Sequence, residues 1–294
     1  MPDLIVYLNG AFVPYAEALI PVEDRGNVLA DGVYEVVRFY SGHPLAFDAH
    51  LERLARSAGE IRLPAVDLAE LERAGRELVR RNALSDATLY IQVTRGVAPR
   101  IHAFPQPAPK PTVFMIARSA ERPPRQRFEE GVACITVPDT RWARCDIKSI
   151  GLLPNVLAKQ EAYERGAFEA LFVRDGVITE GSSSNVFAVR SGRLVTHPEG
   201  PHILPGITRR LILALAAEEG IGVVEEELRL EELATFDELF ISSTTVEVMP
   251  VVKVNDRLVG DGRVGPVTRR LIARYDQLVE DVRQGAAGDR LPPV

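Results

Sequence analysis

A polar segment containing a proline pair divides this sequence into two halves. Residues 117–127 read Ala-Arg-Ser-Ala-Glu-Arg-Pro-Pro-Arg-Gln-Arg, a stretch that cannot continue a helix or a central strand. A chain of 294 residues is long enough for two domains. The sequence therefore predicts an N-terminal domain over 1–117, an interdomain linker over 118–127, a C-terminal domain over 128–284 and a flexible tail over 285–294.

Both halves mix helical and strand patterns. Apolar residues at helical spacing predict helices over 48–61, 67–81, 155–165, 208–219 and 267–283. The β-rich segments between them predict strands at 4–8, 33–40, 88–94, 112–116, 132–137, 168–173, 185–189, near 223 and at 238–242. The expected fold class is α+β in each half.

Composition and charge exclude several classes of protein. The chain is 46% hydrophobic and 26% charged, which is typical of soluble globular proteins. No apolar run approaches the roughly 20 residues needed to span a bilayer, and the N-terminus lacks the basic start of a signal peptide, so a cytoplasmic location is expected. A net charge of −6 without a basic block argues against nucleic acid. Cys134, Cys145 and five scattered histidines predict neither a disulfide framework nor a metal site.

Lysine is rare in this chain, and one lysine has apolar neighbours. Only four of the 35 basic residues are lysines, and Lys148 lies between Ile147 and Ile150 in a short extended run. Unlike arginine, lysine can lose its proton and condense with a carbonyl. The alternative is a lysine that snorkels or pairs with an acid. The segments that follow Lys148 favour the chemical role.

Three downstream segments carry groups that complement an amine. Glu180 lies where a strand-like segment over 177–189 is interrupted, and its carboxylate could face a pyridinium nitrogen; a solvated tight turn is the alternative. Gly206 introduces a helix whose first amides, with the Thr208 hydroxyl, could hold a phosphate, although an ordinary helix start has the same pattern. Four hydroxyl residues over 242–245 end a strand. Together with Lys148, these groups meet the requirements of pyridoxal 5′-phosphate.

The sequence resembles the fold-type IV pyridoxal-phosphate enzymes, the class IV aminotransferases, along nearly its whole length. The most specific stretches are Asp31-Gly-Val-Tyr-Glu-Val-Val-Arg38, Asp146-Ile-Lys-Ser149, Asn155-Val-Leu-Ala-Lys-Gln-Glu161 and Thr179-Glu-Gly-Ser-Ser-Ser-Asn-Val-Phe187. Within the family, the resemblance to bacterial D-amino acid aminotransferases is close. It implies two α+β domains with the cofactor between them, and a homodimer.

The resemblance also implies a role for each site residue. Lys148 would bind the cofactor as a Schiff base and move a proton between the substrate α-carbon and the cofactor. Glu180 would pair with the pyridine nitrogen. The implied phosphate ligands are Arg53, Ile207, Thr208, Ser243 and Thr244. Without the family pattern, Arg53 would be interpreted as part of a solvated helix face.

Tyr34, Arg100 and His102 are the residues that the resemblance assigns to the substrate carboxylate. Arg100 and His102 alternate in a segment expected to be extended, so their side chains would point the same way, and in the family they can serve the neighbouring subunit. Branched-chain aminotransferases usually carry phenylalanine at the Tyr34 position and lack the Arg-X-His pair. Aminodeoxychorismate lyases also differ across Tyr34–Val36. The resemblance therefore predicts transamination between a D-amino acid, with D-alanine foremost, and a 2-oxo acid, with 2-oxoglutarate foremost, giving pyruvate and D-glutamate.

Three other functions share part of this pattern. Transamination of branched-chain L-amino acids or (R)-amines uses the same chemistry, and pocket contacts of about 1 to 3 kcal/mol can decide between such substrates. A lyase such as aminodeoxychorismate lyase also keeps Lys148 and Glu180. A pyridoxal-phosphate-binding protein without activity is the third, and the complete set of predicted ligands argues against it.

Overall fold

The computed structural model describes residues 4–286, which fold into sixteen strands and seven α-helices. Every helix expected from the sequence is present. The last helix ends at Arg283, and the predicted tail over 285–294 lies outside the described residues from 287 onward.

The described residues form two compact units, which are not two simple halves of the chain. The first unit contains the chain through Glu121, the short segment Ile147–Gly151 and the residues that begin at Asp281. The second unit contains Arg122–Asp146 and Leu152–Glu280. Lys148 therefore belongs to the first unit, although it follows the predicted linker in sequence.

The first unit contains a six-stranded antiparallel sheet. Its strand order is β2-β1-β6-β5-β3-β4, and three helices accompany it. The elements are β1 (Ile5–Leu8), β2 (Ala11–Pro14), α1 (Arg25–Leu29), β3 (Gly32–Tyr40), β4 (His43–Pro44), α2 (Phe47–Glu60), α3 (Leu68–Arg81), β5 (Ala87–Thr94) and β6 (Thr112–Ser119).

One face of this sheet forms the core of the first unit. Along β5, Ala87, Leu89, Ile91 and Val93 are fully buried, because successive side chains of a strand alternate between the two faces. The apolar sides of α2 and α3 pack on this face in one hydrophobic cluster. Tyr34 on β3 consequently lies on the opposite face from its neighbours in sequence, which point into the core.

The Lys148 segment adds to the free edge of β3. The amide of Tyr34 donates to the Lys148 carbonyl at 3.0 Å, and the amide of Ile150 donates to the Gly32 carbonyl at 3.1 Å. The Lys148 amide donates to Ser57 Oγ of α2 at 3.2 Å. This edge is available because β4 pairs only with the far end of β3. Backbone hydrogen bonds thus fix Lys148 beside the strand that carries Tyr34.

The second unit contains a ten-stranded mixed sheet. Its order is β12-β11-β10-β14-β15-β7-β8-β9-β13, and β16 pairs with β15. Parallel neighbours occur at β11–β12, β15–β7 and β7–β8. The elements are α4 (Arg125–Glu130), β7 (Val132–Pro138), α5 (Leu153–Glu164), β8 (Glu169–Arg174), β9 (Val177–Gly181), β10 (Asn185–Arg190), β11 (Arg193–Thr196), α6 (Ile207–Glu218), β12 (Val223–Glu225), β13 (Leu228–Arg229), β14 (Glu238–Ser243), β15 (Glu247–Val254), β16 (Arg257–Leu258) and most of α7 (Pro266–Arg283).

The structure differs from the sequence-based expectation in several places. Within the predicted linker over 118–127, β6 continues to Ser119 and α4 begins at Arg125, so only the middle is irregular. Glu180 lies inside β9 rather than in the interruption after it, because the turn begins at residue 182. The additional elements are the helices α1 and α4 and the strands β2, β4, β11, β13, β15 and β16. Strand β15 contains Pro250, a residue that usually marks an edge strand or a bulge.

Neither a membrane-crossing helix nor a metal-binding cluster occurs within residues 4–286. No helix there is long and apolar enough to cross a bilayer, and no group of three His, Cys, Asp or Glu side chains could hold a metal ion. Cys134 and Cys145 are free and buried. Burial raises the pKa of the Cys145 thiol to about 11. Because the thiolate is the reactive form, this thiol is a poor nucleophile at neutral pH.

We expect Gly32→Ala to destabilise the first unit. A Cβ atom at Gly32 would lie 2.8 Å from the Val93 carbonyl oxygen and 3.0 Å from Ile150 Cδ1, so β5 or the Lys148 segment must shift. Such overpacking costs about 1 to 3 kcal/mol. Urea unfolding measures the loss.

The control for this substitution is Gly59→Ala. Gly59 lies on the exposed side of α2, where a Cβ atom would meet nothing within 4 Å. Replacement of a helical glycine by alanine stabilises by about 0.5 to 1 kcal/mol. Equal effects of the two substitutions would contradict the steric argument.

Candidate active site

The side chain of Lys148 lies over an aromatic ring. Its Nζ atom is 4.4 Å from the centroid of the Tyr34 ring, which stacks on Tyr90 at 5.5 Å. The Tyr90 hydroxyl donates to Gln92 Oε1 at 2.6 Å, which fixes the second ring in turn. In the described part of the chain, no acidic side chain forms an ion pair with Lys148. The amine is thus positioned by its backbone and by Tyr34 rather than by a carboxylate.

A buried cluster of charged residues joins β3, the strand that carries Tyr34, to α2. Glu35 is fully buried, and its Oε1 and Oε2 accept from Arg53 Nε at 2.7 Å and Nη2 at 2.8 Å. His50 Nδ1 lies 2.7 Å from Glu35 Oε2. Burial alone would raise the pKa of Glu35, but the charge and hydrogen bonds of Arg53 and the hydrogen bond of His50 lower it more strongly. Burial lowers the pKa of His50, which is therefore neutral and donates to the carboxylate.

This cluster fixes the orientation of Arg53, the predicted phosphate ligand. Two of its three nitrogen atoms donate to Glu35 in the bidentate geometry that arginine and carboxylate prefer. The solvated helix face suggested by the local sequence is wrong, since Arg53 is buried. Its phosphate role stays a prediction.

Arg100 and His102 lie in an irregular loop after β5. Both side chains are exposed, and the chain bends at each of them instead of forming a strand. The loop is nevertheless anchored: the Ile101 carbonyl accepts from Arg25 Nη1 at 2.6 Å, and the Phe104 ring lies 3.8 Å from Arg95 Cζ.

Asp31 binds Arg25 and Arg95, the two arginines that anchor this loop. Its Oδ2 accepts from Arg25 Nε at 2.8 Å and from Arg95 Nε at 2.7 Å. Burial would raise the pKa of Asp31, but hydrogen bonds from Arg95 and Arg25 hold it below its usual value. Asp31 immediately precedes β3, so the loop with Arg100 and His102 is tied to the strand that carries Tyr34.

In the second unit, three donors surround the carboxylate of Glu180. Oε1 accepts from Arg141 Nη1, and Oε2 accepts from Asn185 Nδ2 at 3.2 Å and from the Leu204 amide at 2.9 Å. The residue is buried, so the alternative of a solvated turn is wrong. Sequence reasoning identified Glu180 but none of its donors. Arg141, seven residues before Lys148, gave no periodic or motif signal.

A second carboxylate fixes the turn that follows Glu180. Glu169, buried on β8, accepts from the hydroxyls of Ser182 at 2.5 Å, Ser183 at 3.0 Å and Ser184 at 3.4 Å. Gly181 permits close packing here, because a Cβ atom would lie 2.2 Å from Ser184 Oγ and 3.2 Å from Glu169 Cγ. The sequence feature that could have identified Glu169 is its position as an acidic residue at the start of an otherwise apolar strand.

The start of α6 offers free donors for an anion. Its N-cap is Gly206, which supplies no capping side chain, and the first amides of a helix lack intrahelical acceptors. Ile207 and Thr208 are buried at this end. Gly206 also permits close packing, because a Cβ atom would lie 2.0 Å from Asn185 Oδ1. These features suit the phosphate role predicted for Ile207 and Thr208.

Asn185 links the predicted cofactor residues of the second unit. Its side chain contacts Glu180 and the Leu204 carbonyl, two residues before Gly206. Asn185 on β10 lies opposite Ser242 on β14 in the sheet. The Ser242 hydroxyl is buried and forms no hydrogen bond with the described residues. Ser243 and Thr244 follow at the end of β14. An unpartnered hydroxyl and free amides can donate to a phosphate, and a fixed carboxylate can accept from a ring nitrogen, so this set of groups fits pyridoxal phosphate.

The comparison with known proteins defines the family. Residues 32–254 match the family model of amino-transferase class IV. The chain belongs to the class IV aminotransferases. It is 46% identical over 276 residues to a D-alanine aminotransferase of Staphylococcus haemolyticus, covering 94% of this chain and 98% of that protein. It is 43% identical to a D-alanine aminotransferase of Bacillus licheniformis, covering 90% of this chain and 94% of that protein.

Solved structures of the same fold agree with this family. The branched-chain amino acid aminotransferase from Escherichia coli superimposes with a TM-score of 0.86 at 29% identity, covering 99% of this chain and 97% of that one. A branched-chain amino acid aminotransferase from T.th., solved with pyridoxamine 5′-phosphate, gives a TM-score of 0.86 at 29% identity, covering 97% of this chain and 96% of that one. The fold is therefore the two-domain α+β fold of type IV.

We expect Glu35→Gln to destabilise the protein strongly at pH 7. The substitution leaves the buried Arg53 guanidinium without its counter-charge, and breaking a buried ion pair costs about 3 to 5 kcal/mol. Chemical unfolding monitored by circular dichroism measures this cost.

The control is Glu72→Gln, which breaks a partly exposed pair with Arg76 on α3 and should cost less than about 1 kcal/mol.

The Glu35 effect should also depend on pH. The folded-state pKa of Glu35 is below the unfolded value of 4.5, so its contribution is complete above that value and is lost as the pH falls through the folded pKa. A cost for Glu35→Gln that grows on acidification would contradict this assignment.

Proposed function

We propose that this protein transfers amino groups between D-amino acids and 2-oxo acids, with D-alanine and 2-oxoglutarate as the preferred pair and pyruvate and D-glutamate as products. The observation that carries the proposal is the placement of Lys148, whose amine lies over Tyr34 with no acidic partner in the described residues. The high identity to D-alanine aminotransferases over nearly the whole chain supports the choice of substrate.

Pyridoxal 5′-phosphate is the proposed cofactor. When bound, it supplies a carbonyl carbon that takes an amine and a ring that accepts the electron pair released at the substrate α-carbon. Lys148 would hold the cofactor, and its amine would carry the proton to or from the substrate α-carbon. Glu180 holds the ring nitrogen. The phosphate ligands are Arg53, Ile207, Thr208, Ser243 and Thr244.

Tyr34, Arg100 and His102 are proposed to bind the substrate carboxylate. Arginine provides a permanent charge and a planar pair of donors that match a carboxylate. The exposed position of Arg100 and His102 leaves both side chains accessible to a ligand or to a second subunit. The Asp31 network described above limits the freedom of the loop, which reduces the entropy lost on binding.

The first test compares three amino donors in half-reactions of the enzyme loaded with pyridoxal phosphate. We expect D-alanine to convert the visible absorption band rapidly, and L-leucine and (R)-1-phenylethylamine to convert it slowly. Lys148→Ala should lack the band of the lysine-bound cofactor. Retention of that band in the variant would assign the linkage to another lysine.

The branched-chain alternative has specific support, because solved branched-chain enzymes share the fold at a TM-score of 0.86. Their identity of 29% is well below the 46% to a D-alanine aminotransferase, which favours the D-amino acid function. Fast conversion of the visible band by L-leucine would favour the branched-chain function over the D-amino acid function. It would also remove Tyr34, Arg100 and His102 from the substrate assignment.

We further propose a cytoplasmic homodimer. On α5, four large apolar side chains are between 58% and 77% exposed, whereas Ala158 and Ala162 on the opposite side are buried; the exposed residues are Leu153, Val156, Leu157 and Tyr163. Contiguous exposed apolar surface of this kind marks an interface, and a second copy of the chain is the proposed occupant. Two free, buried cysteines suit a reducing compartment.

Leu157→Glu should convert the dimer into monomers, because it places a charge in the proposed apolar interface. Light scattering coupled to size-exclusion chromatography reports the mass. The matched control is Leu258→Glu on β16, since Leu258 is 61% exposed and Leu157 is 63% exposed. Loss of the dimer with both substitutions, or with neither, would contradict the assignment of the interface to α5.

A further inference from the structure

Arg141 is the charged partner of the carboxylate proposed to hold the cofactor ring nitrogen. Its side chain is only 5% exposed, and its Nη1 donates to Glu180 Oε1. Its Nε donates to Asp139 Oδ1 at 2.9 Å, and its Nη2 donates to Asp139 Oδ2 at 2.9 Å. The guanidinium also lies 4.3 Å from the centroid of Phe172. Arg141 is thus fixed by a bidentate pair on one side and faces Glu180 on the other.

Asp139 in turn is held by two arginines. Its side chain is fully buried, and Arg174 Nη2 lies 3.1 Å from the Oδ2 atom that Arg141 also binds. Burial would raise the pKa of Asp139, but the hydrogen bonds and charge of Arg141 and the charge of Arg174 hold it below its usual value. With Glu180, the cluster contains two positive and two negative groups, so its net charge is zero.

The position of Arg141 decides where a shared proton rests. A ring nitrogen bonded to Glu180 shares one proton with the carboxylate, which can reside on either atom. A buried carboxylate without a positive neighbour binds a proton more tightly, because burial disfavours its charged form. Arg141 donates to Oε1 and stabilises the charged form of Glu180. Its charge would act more weakly on a ring nitrogen that the carboxylate separates from it, because the interaction falls with distance.

We propose that Arg141, oriented by Asp139, is a positioning residue that keeps this shared proton on the cofactor ring nitrogen. The inference rests on the proposed function, since it assumes that Glu180 pairs with that nitrogen. A protonated ring withdraws electrons more strongly than a neutral one, so Arg141 acts on the reaction through Glu180 and the ring. Asn185 and the Leu204 amide, which also donate to Glu180, are neutral and do not supply this charge.

The direct test is the nitrogen chemical shift of the ring in holoenzyme loaded with pyridoxal phosphate labelled with ¹⁵N. The wild type should give the signal of a protonated ring nitrogen. Arg141→Met keeps an apolar stem against Phe172 but removes the charge, and the signal should move toward that of a neutral ring. An unchanged protonated signal in Arg141→Met would overturn the inference.

Arg174→Met is the matched control. Arg174 binds the same Asp139 oxygen and contributes the same charge to the cluster, but it contacts Asp139 and the Arg141 and Trp142 carbonyls rather than Glu180. The ring nitrogen in this variant should stay protonated. A neutral ring in Arg174→Met equal to that in Arg141→Met would assign the effect to the net charge of the cluster and overturn the role of the direct contact.

Arg141→Lys provides a test that does not depend on Arg141→Met folding. A lysine keeps the positive charge without the bidentate fork, so the ring nitrogen should stay protonated, and a neutral ring in this variant would overturn the inference. Cofactor affinity gives a second readout. Weakening of a hydrogen bond between charged groups should raise the dissociation constant of pyridoxal phosphate by about 10-fold or more in Arg141→Met.

The two proposals fail in different ways. A wild-type protein that forms no lysine-bound cofactor band, or that does not react with any amino donor, would refute the proposed function. A wild type that binds the cofactor and reacts with D-alanine, together with an Arg141→Met variant that retains a protonated ring, would refute only the inference on Arg141.

Discussion

The short backbone pairing between β3 and the Lys148 segment is the interaction on which the proposed chemistry of this protein depends. Two hydrogen bonds, from Tyr34 to Lys148 and from Ile150 to Gly32, attach a residue of the second half of the sequence to a strand of the first unit. A long flexible side chain on a mobile loop would sample many positions. On a strand edge, with an aromatic ring beside it, the Lys148 amine is confined before any ligand binds, and preorganisation of this kind is a main source of catalytic power.

Buried carboxylates orient several of the other polar side chains. Each carboxylate accepts enough hydrogen bonds to remain buried. Glu35 orients Arg53, Glu169 binds three serine hydroxyls, and Asp139 orients Arg141 toward Glu180. A buried carboxylate without donors would bind a proton or destabilise the fold. Each of these acids therefore fixes the orientation of its partner group, and the hydrogen bonds that produce this geometry offset the cost of burying the acid.

The sequence predicted helices and most strands well because apolar spacing is a local property. It missed several short strands and also β15. In β15, Pro250 gives the local signal of an edge or a turn, although tertiary pairing with β14 and β7 places the strand inside the sheet. It singled out Lys148 and Glu180 as candidate site residues because each stands out from its local neighbours, and their roles stay predictions. It missed Arg141 because an isolated arginine gives no signal until the fold brings its partner to it. Glu169 stood out only as an acidic residue in an otherwise apolar strand, and its serine partners come from a later turn.

The sequence by itself determined the two-part α+β organisation and the motifs of a class IV aminotransferase, since both are written in local spacing and in short runs of residues. Only the tertiary structure decided that the Lys148 segment belongs to the first unit, that Arg53 is oriented by Glu35, and that Arg141 faces Glu180. These contacts join residues separated by 18 to more than 100 positions in the chain. Hydrogen bonds and burial depend on which residues are close in space, and residues far apart in the sequence become close only when the chain folds.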